Sequence, residues 1–225
     1  MSLNEILYTI LIKGGSYLTI LKGLQATVKI SLFSLLFGTI LGAFVCMLRL
    51  SRVKIFKFVA EFYIVILRGS PVLMLLMLMY YGVFARSSLE AVTIAIITFS
   101  LNIAAHVAEL LRAAISAADY GQVEAARTLG FSAWQAFRFI TLPQIIKISK
   151  PVYHSTIINL IQWTSVVGYV SITDLTRVIN NIASRTMQPM ITIIIGMLIY
   201  LGLAYIVHGI FAISDFFESR KEVEA

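Results

Sequence analysis

Long apolar stretches, each about as long as a membrane-spanning helix, recur along this chain and constrain its fold more than any other feature. A helix that crosses the hydrocarbon core of a bilayer needs roughly 20 apolar residues. Hydrophobic residues make up 59% of the chain and charged residues 13%, whereas soluble domains are about 45–50% apolar and about 25% charged. The pattern predicts an all-α integral membrane protein with about five transmembrane helices. The five stretches are residues 24–48, 58–84, 90–111, 152–171 and 187–213.

The distribution of Lys and Arg predicts the orientation. Outside the apolar stretches, most of these residues lie in the loop 49–57, in the segment 112–150 and in the C-terminal tail. Positive charge accumulates on the cytoplasmic side of membrane proteins, so we expect the N-terminus outside and the C-terminus in the cytoplasm. The net charge of +7 does not predict nucleic-acid binding, because the basic residues recur at the ends of apolar runs instead of forming one stripe.

Three regions follow from this topology. Residues 1–23 form an amphipathic segment with a turn at Lys13-Gly14-Gly15-Ser16. Residues 1–12 lack the basic region of a signal peptide and carry Glu5 instead, so we expect the segment to stay on the mature protein. Residues 24–213 form the transmembrane domain, and residues 214–225 form a solvated tail. One cysteine, Cys46, excludes an internal disulfide, and three scattered histidines predict no metal site.

The cytoplasmic loop 112–150 contains two predicted short helices, 119–129 and 132–140. Polar pairs spaced for capping boxes begin them, a glycine in a left-handed conformation ends the first, and a proline ends the second. The segment is also rich in aromatic residues, which suit either docking of a helix into a partner's groove or an interfacial helix pair beneath the bundle. The capping residues are Asp119 with Gln122 and Ser132 with Gln135, the helix ends are Gly130 and Pro143, and the aromatic residues are Phe131, Trp134, Phe137 and Phe139.

At this point the chain resembles a known family. Its residues 124–143 match, at full spacing, the E-A-A-x3-G-x9-I-x-L-P motif of ABC-importer permease subunits. Shorter stretches resemble sequences of the polar amino acid permease branch, and the resemblance covers about residues 22–205. These stretches are 46–52, 67–71, 100–112, 164–165, 175–177 and 184–186. The motif positions, with the glycine that precedes them, are Gly121, Glu124, Ala125, Ala126, Gly130, Ile140, Leu142 and Pro143.

The resemblance implies a type I importer transmembrane domain, the permease domain, in a bacterial inner membrane. It implies that the cytoplasmic loop couples the chain to two ATP-binding subunits. The further partners would be a second permease, either another copy or a homologue, and an extracellular or periplasmic solute-binding protein. The glycines of the chain do not form a P-loop, so ATP and Mg would be held by the partner subunits, and the chain would be a transport subunit with no cofactor and no enzymatic activity.

A break inside the second apolar stretch predicts one part of the translocation path. A charged side chain within a bilayer is unfavourable unless it faces the bundle interior or a cavity, and broken helices often line substrate paths. An arginine at such a break could bind a substrate carboxylate. The residues of the break are Arg68, Gly69, Ser70 and Pro71.

Polar residues on the third apolar stretch leave two interpretations open. Asn102, His106 and Glu109 share one helix face, where they could line the path or join helices by hydrogen bonds. Glu109 could also form an internal ion pair with Arg68, as could Glu61. We expect Glu109 to join helices, His106 to be a hydrogen-bonded core residue, and Asn102 to belong to the path candidates.

The fourth apolar stretch carries a departure from the family. Relatives often read K-D-T-S where this chain has Gln162, Trp163, Thr164 and Ser165, and an acid before the arginine of the second stretch is replaced by Val65. Gln162, Trp163, Thr164 and Ser165 complete the predicted path. Because the acids that relatives carry at these two places are absent here, we expect a neutral or polar amino acid as the cargo and not a cationic one. Three alternatives remain: a tryptophan that only fills the core, a chain that is the non-binding half of a heterodimer, and another small solute.

Two other functions stay possible at this point. A quaternary amine could be caged by Trp163 and Tyr153 through cation–π contacts. An ion-coupled secondary transporter could use Glu109 and His106 to carry protons.

Overall fold

The structure is a computed structural model that describes residues 3–12 and 15–223, and every regular element in those ranges is helical. Two π-helical segments, Leu78–Val83 and Phe137–Thr141, continue α4 and α7, and a 3-10 segment, Thr164–Val170, continues α8. Of the predicted turn Lys13-Gly14-Gly15-Ser16, the first two residues lie outside the described residues, and α2 begins at the last. The helices are α1 (Leu3–Leu11), α2 (Ser16–Arg49), α3 (Lys54–Gly69), α4 (Val72–Met77), α5 (Ala91–Ala117), α6 (Tyr120–Thr128), α7 (Ala133–Ala136), α8 (Leu142–Trp163), α9 (Leu175–Thr186) and α10 (Pro189–Val223).

Three of these helices, α2, α5 and α10, are long and apolar enough to cross a membrane. The pair made by α3 and α4 with its π segment also qualifies, with a bend of 108° at the break. The bend falls at Ser70-Pro71, where an interruption is predicted. Proline disfavours the helical conformation in the residue before it, and Ser70 is extended with ψ at 137°.

Several predicted boundaries are wrong. The predicted fourth stretch, 152–171, is instead an α-helix that begins at Leu142 and ends in the 3-10 segment. Helix α2 begins at Ser16, ahead of the predicted start at residue 24. The predicted solvated tail is helical as far as Val223, because α10 continues past its apolar part. Helix α9 was not predicted at all.

The chain divides into two compact units, and helices α2, α5 and α8 each contribute to both. The first unit comprises Met1–Leu35, Pro71–Phe99 and Ile157–Ala225. The second unit comprises Leu36–Ser70 and Ser100–Thr156.

The core of the first unit forms where α9 packs against α1, α10 and the first part of α2. The apolar residues of α9 are spaced so that they share one face, and this face is buried. Helix α2 lies close to the start of α9 at Gly23. A Cβ placed there would lie 2.9 Å from the Asp174 carbonyl oxygen. The buried core residues are Ile10, Ile20, Leu175, Val178, Ile179 and Ile182.

The core of the second unit is a close crossing of α2 and α5. A Cβ at Gly38 would lie 2.6 Å from Ile103, and one at Gly42 would lie 2.7 Å from Val107. Two glycines four residues apart present a flat strip on which another helix backbone can rest, a common way of packing helices in membranes. The crossing therefore depends on the absence of side chains at these two positions.

Candidate functional site

The junction between α6 and α7 is a well-defined turn. The Phe131 N–H donates to the Ala126 carbonyl (3.1 Å) and the Gly130 N–H donates to the Arg127 carbonyl (3.2 Å), which is the hydrogen-bond pattern of a Schellman motif. Gly130 has φ of +90°, a conformation that side-chain-bearing residues rarely adopt. The prediction that Gly130 ends the first helix in a left-handed conformation is confirmed.

The start of α6 differs from the predicted capping box. Asp119 caps the helix, but it accepts from the Gly121 N–H (2.9 Å). Gln122 does not return a bond to Asp119, because its Oε1 accepts from Nε2 of Gln144 (3.0 Å), whose own Oε1 accepts from the Asp119 N–H (2.8 Å). A residue on α8 thus takes the role that the sequence assigned to Gln122, and it ties the start of α6 to α8.

The start of α7 agrees with the prediction, and its end does not. Ser132 and Gln135 form a full capping box, at 3.2 Å and 2.7 Å. Pro143 ends no helix, because winding continues through the π segment into α8. In that segment the Leu142 N–H bonds five residues back, to Phe137, so the hydrogen-bond ladder changes register just before the proline. Pro143 then lies in the first turn of α8, where its missing N–H is tolerated.

This segment presents a broad exposed surface. Trp134 stacks on Phe137 at 5.7 Å between ring centroids and is 66% exposed, and Leu129 is 82% exposed. Glu124 is exposed, and its carboxylate has no hydrogen bond or ion pair within the described residues. Of the remaining motif positions, Ala126 is buried, Ile140 is half-buried, and Gly121, Ala125, Gly130, Leu142 and Pro143 are exposed.

The ion pairs that were the alternative role for Arg68 are absent from the described residues, because both acids have other partners. Glu61 accepts two hydrogen bonds of 2.9 Å from Arg49. Glu109 pairs with Arg112, three residues along the same helix, at 2.6 Å. The pairing of Arg68 with either acid is therefore wrong, and so is the expectation that Glu109 joins two helices. Arg68, at the exposed end of α3, keeps its guanidinium available.

Asn102 is placed by the break after α3. Pro71 has no N–H, so the Leu67 carbonyl lacks the donor that a continuing helix would supply. Nδ2 of Asn102 supplies it at 2.8 Å. Asn102 is 1% exposed, and its Oδ1 has no hydrogen-bond partner in the part of the chain that the structure describes. The second unit thus brings Asn102 next to the predicted break at Arg68, Gly69 and Ser70.

The other predicted path residues belong to the first unit. Gln162 borders a cavity of about 500 Å³ between α9 and α10, and Ser165 borders a cavity of about 440 Å³ beside α9. Trp163 is half-buried, and Thr164 is buried with its hydroxyl bonded to the Ile161 carbonyl at 2.6 Å. The two cavities share Thr176 and Asn180 of α9.

Helix α9 is the part of the site that sequence reasoning missed. Asp174 caps it by accepting from the Thr176 N–H (2.9 Å) and the Arg177 N–H (3.1 Å). Burial raises the pKa of the Asp174 carboxyl, and the backbone hydrogen bonds oppose that rise. The signal was available, because an aspartate precedes apolar residues at helical spacing from Leu175 to Ala183.

Residues 34–220 match the family model described as "Binding-protein-dependent transport system inner membrane component". The chain belongs to this family. Members are the membrane subunits of ABC importers, and membership implies partner ATP-binding subunits and a binding protein. The chain is accordingly a transport component of an inner membrane and not an enzyme.

Similar proteins agree with this assignment. The chain is 37% identical over 186 residues to the "Probable amino-acid ABC transporter permease protein YckA" of Bacillus subtilis, covering 82% of each chain. It is 33% identical over 189 residues to the arginine transport system permease ArtQ of Bacillus subtilis, covering 83% of this chain and 86% of ArtQ. A crystal structure of an amino acid ABC transporter with histidines matches with a TM-score of 0.79 at 32% identity, over 90% of this chain and 94% of that one. The fold is that of type I ABC importer permeases.

Proposed function

We propose that this chain is the multi-pass permease subunit of a bacterial ABC importer for an amino acid that is neutral or polar and not cationic. The cargo class rests on the relatives, whose names specify amino acids in general, arginine and L-cystine. The preference against cationic cargo rests on one observation. The residues that line the cavities of about 500 Å³ and about 440 Å³ in the first unit include Arg177 and no Asp or Glu.

Each of the two compact units carries residues that we propose for the cargo path. In the second unit these are Arg68, Gly69, Ser70 and Asn102, and in the first they are Pro71, Gln162, Trp163, Thr164 and Ser165. The support is their chemistry: a guanidinium without an ion-pair partner, a buried amide oxygen without a donor, and hydroxyl and amide groups at a cavity wall. Such groups can replace the hydration shell of a zwitterion as it leaves water.

The coupling role belongs to the segment from α6 to the start of α8. A helix pair fixed by a Schellman turn, a capping box and Gln144 transmits a push from a partner subunit without deforming. Its surface combines the exposed stack of Trp134 and Phe137 with the unpaired carboxylate of Glu124. An aromatic core with a charge at its margin is the usual composition of a protein–protein contact. We assign ATP and Mg to two partner ATPase subunits, with a second permease completing the membrane domain.

A quaternary amine is not favoured as the cargo, because the names of the similar proteins specify amino acids. Tyr153 and Trp163 also belong to different compact units. The ion-coupled alternative is not favoured either, since Glu109 is held by Arg112.

The test is ATP-driven uptake by the complete transporter. The chain is co-purified with its ATPase, reconstituted in liposomes with ATP inside and the binding protein outside, and assayed with each of the twenty labelled amino acids. We expect ATP-dependent uptake of a neutral or polar amino acid at least about tenfold above lysine or arginine, which a difference of 1.4 kcal/mol produces. Preferred uptake of lysine or arginine would contradict the cargo class. Uptake that does not require ATP and is abolished by a protonophore would contradict the importer assignment.

A further inference from the structure

Arg177 lies at a cavity of the first unit that several polar side chains border. The cavity of about 440 Å³ is bordered by α9 on one side and by the 3-10 segment on the other. Helix α9 contributes Thr176, Arg177 and Asn180, which helical spacing places on one side of the helix. Ser165 adds a hydroxyl from the 3-10 segment. A positive charge and three neutral polar groups therefore converge on one space.

The guanidinium of Arg177 is positioned but not neutralised. Its Nη1 donates to the Gly168 carbonyl at 3.0 Å, which fixes the direction of the side chain. An arginine has five N–H donors, and in the part of the chain described here Arg177 has no ion pair. The group thus keeps donors for a bidentate acceptor, and a carboxylate fits that geometry best.

The neighbouring acid does not fill this role. Both oxygens of Asp174 are engaged with the amides that begin α9, at 2.9 Å and 3.1 Å. These two hydrogen bonds hold the carboxyl group of Asp174 at the start of α9, so it is not the bidentate partner of the Arg177 guanidinium. A Cβ at Gly168 would lie 3.6 Å from Asp174 Oδ1 and 3.5 Å from the Cβ of Arg177, both ordinary contact distances, so the 3-10 segment packs directly against the start of α9.

A second chamber adjoins this polar one. The cavity of about 500 Å³ shares Thr176 and Asn180 with it and is otherwise mostly apolar, with Ile193, Met197 and Leu201 in its wall. Tyr200 joins its lining, and the Tyr200 hydroxyl is bonded to the Thr176 hydroxyl at 2.9 Å. A polar chamber next to an apolar one matches a molecule with a charged head and an uncharged side chain.

We propose that Arg177 binds the α-carboxylate of the transported amino acid, while the chamber between α9 and α10 holds its side chain. The inference rests on the proposed function and adds to it the residue that recognises the cargo. The membrane domain itself would then require a free α-carboxylate on the cargo, whatever the binding protein requires. It also selects against a cationic side chain, since the second chamber offers no acid.

The test compares amino acids with their amides on the permease–ATPase complex without binding protein. Thermal stability in detergent is measured with each of the twenty amino acids and with the corresponding α-carboxamides, which lack the negative charge. We expect at least one amino acid to raise the melting temperature and its amide to have no effect. Arg177→Gln should weaken that binding by at least about thirtyfold, as removal of one partner of a charge pair does.

Two further variants make the result specific. Arg177→Lys keeps the charge without the planar fork and should bind with an affinity between wild type and Arg177→Gln. Arg86→Gln removes the same charge from an exposed turn and should bind like wild type. Equal stabilisation by acid and amide, no stabilisation by any amino acid, or unchanged affinity in Arg177→Gln would overturn the proposal.

The uptake assay separates this proposal from the proposed function. If Arg177→Gln liposomes take up the cargo as wild type does, the carboxylate site is refuted and the importer assignment stands. If wild-type liposomes take up no amino acid with ATP, the importer assignment for amino acids fails, whatever the binding experiment shows.

Discussion

Replacing Gly130 by alanine tests whether the turn between α6 and α7 acts through its backbone conformation. A Cβ at Gly130 would meet no atom within 4 Å, so the substitution creates no clash. The whole effect must come from φ, which is +90°. Holding a residue with a side chain in the left-handed region raises the free energy by about 1–2 kcal/mol. That difference should increase opening of the segment by roughly fivefold to thirtyfold.

Hydrogen exchange followed by mass spectrometry measures this opening directly. The amides of residues 120–141 in the intact complex should exchange faster in Gly130→Ala by that factor, while amides of α5 should not change. ATP-driven uptake should fall, and ATP hydrolysis should fall less, because the partner subunit would still turn over without moving the membrane domain.

Gly130→Asn is the matched control. Asparagine tolerates the left-handed region better than alanine does, although its side chain is larger. The expected order of stability is glycine, then asparagine, then alanine. If alanine exchanges like wild type, or if asparagine is the worse of the two, side-chain contact and not backbone conformation controls the turn, and our reasoning is wrong.

Three further substitutions test separate parts of the structure. Glu124→Arg should lower ATP-driven uptake at least about tenfold, since a reversed interface charge costs several kcal/mol, whereas Glu90→Arg at another exposed position should not. Trp163→Asp should raise lysine uptake relative to a neutral amino acid by about tenfold, because a hydrogen bond to a charged group contributes about 1.5–3 kcal/mol. An unchanged ratio of the two uptake rates would exclude Trp163 from the pocket. Gly42→Ala places a Cβ 2.7 Å from Val107 and should destabilise by about 1–3 kcal/mol in thermal denaturation, whereas Gly69→Ala, with nothing within 4 Å, should be close to neutral.

The sequence predicted those features that depend on residues close together in the chain. The Ser132–Gln135 capping box, the left-handed Gly130 and the break before Pro71 follow from chemistry within a few residues. The long apolar helices follow from the requirement that a membrane-spanning segment be apolar throughout. Family membership also followed, because the spacing of the motif at 124–143 extends over twenty residues.

The wrong predictions involve partners distant in the chain or competing roles for one residue. Gln122 is bonded to Gln144, twenty-two residues away, and nothing local to either residue predicts that choice. Pro143 was expected to end a helix, but proline is also tolerated in a first turn, and only the π segment before it decides between the two. The ion pair of Glu61 with Arg49 depends on how α2 and α3 pack.

The π segment at Phe137–Thr141 has a consequence for the lengths that this loop can tolerate. A π turn amounts to one residue added to an α-helix, and each residue turns a helix by about 100°. The wider π turn takes up this extra residue, so deleting one residue there should restore a regular helix and leave the Trp134 surface facing nearly the same way about the axis of α8. A further deletion or an insertion has no such turn to absorb it and should rotate that surface by about 100° per residue, so it should be tolerated less than substitutions.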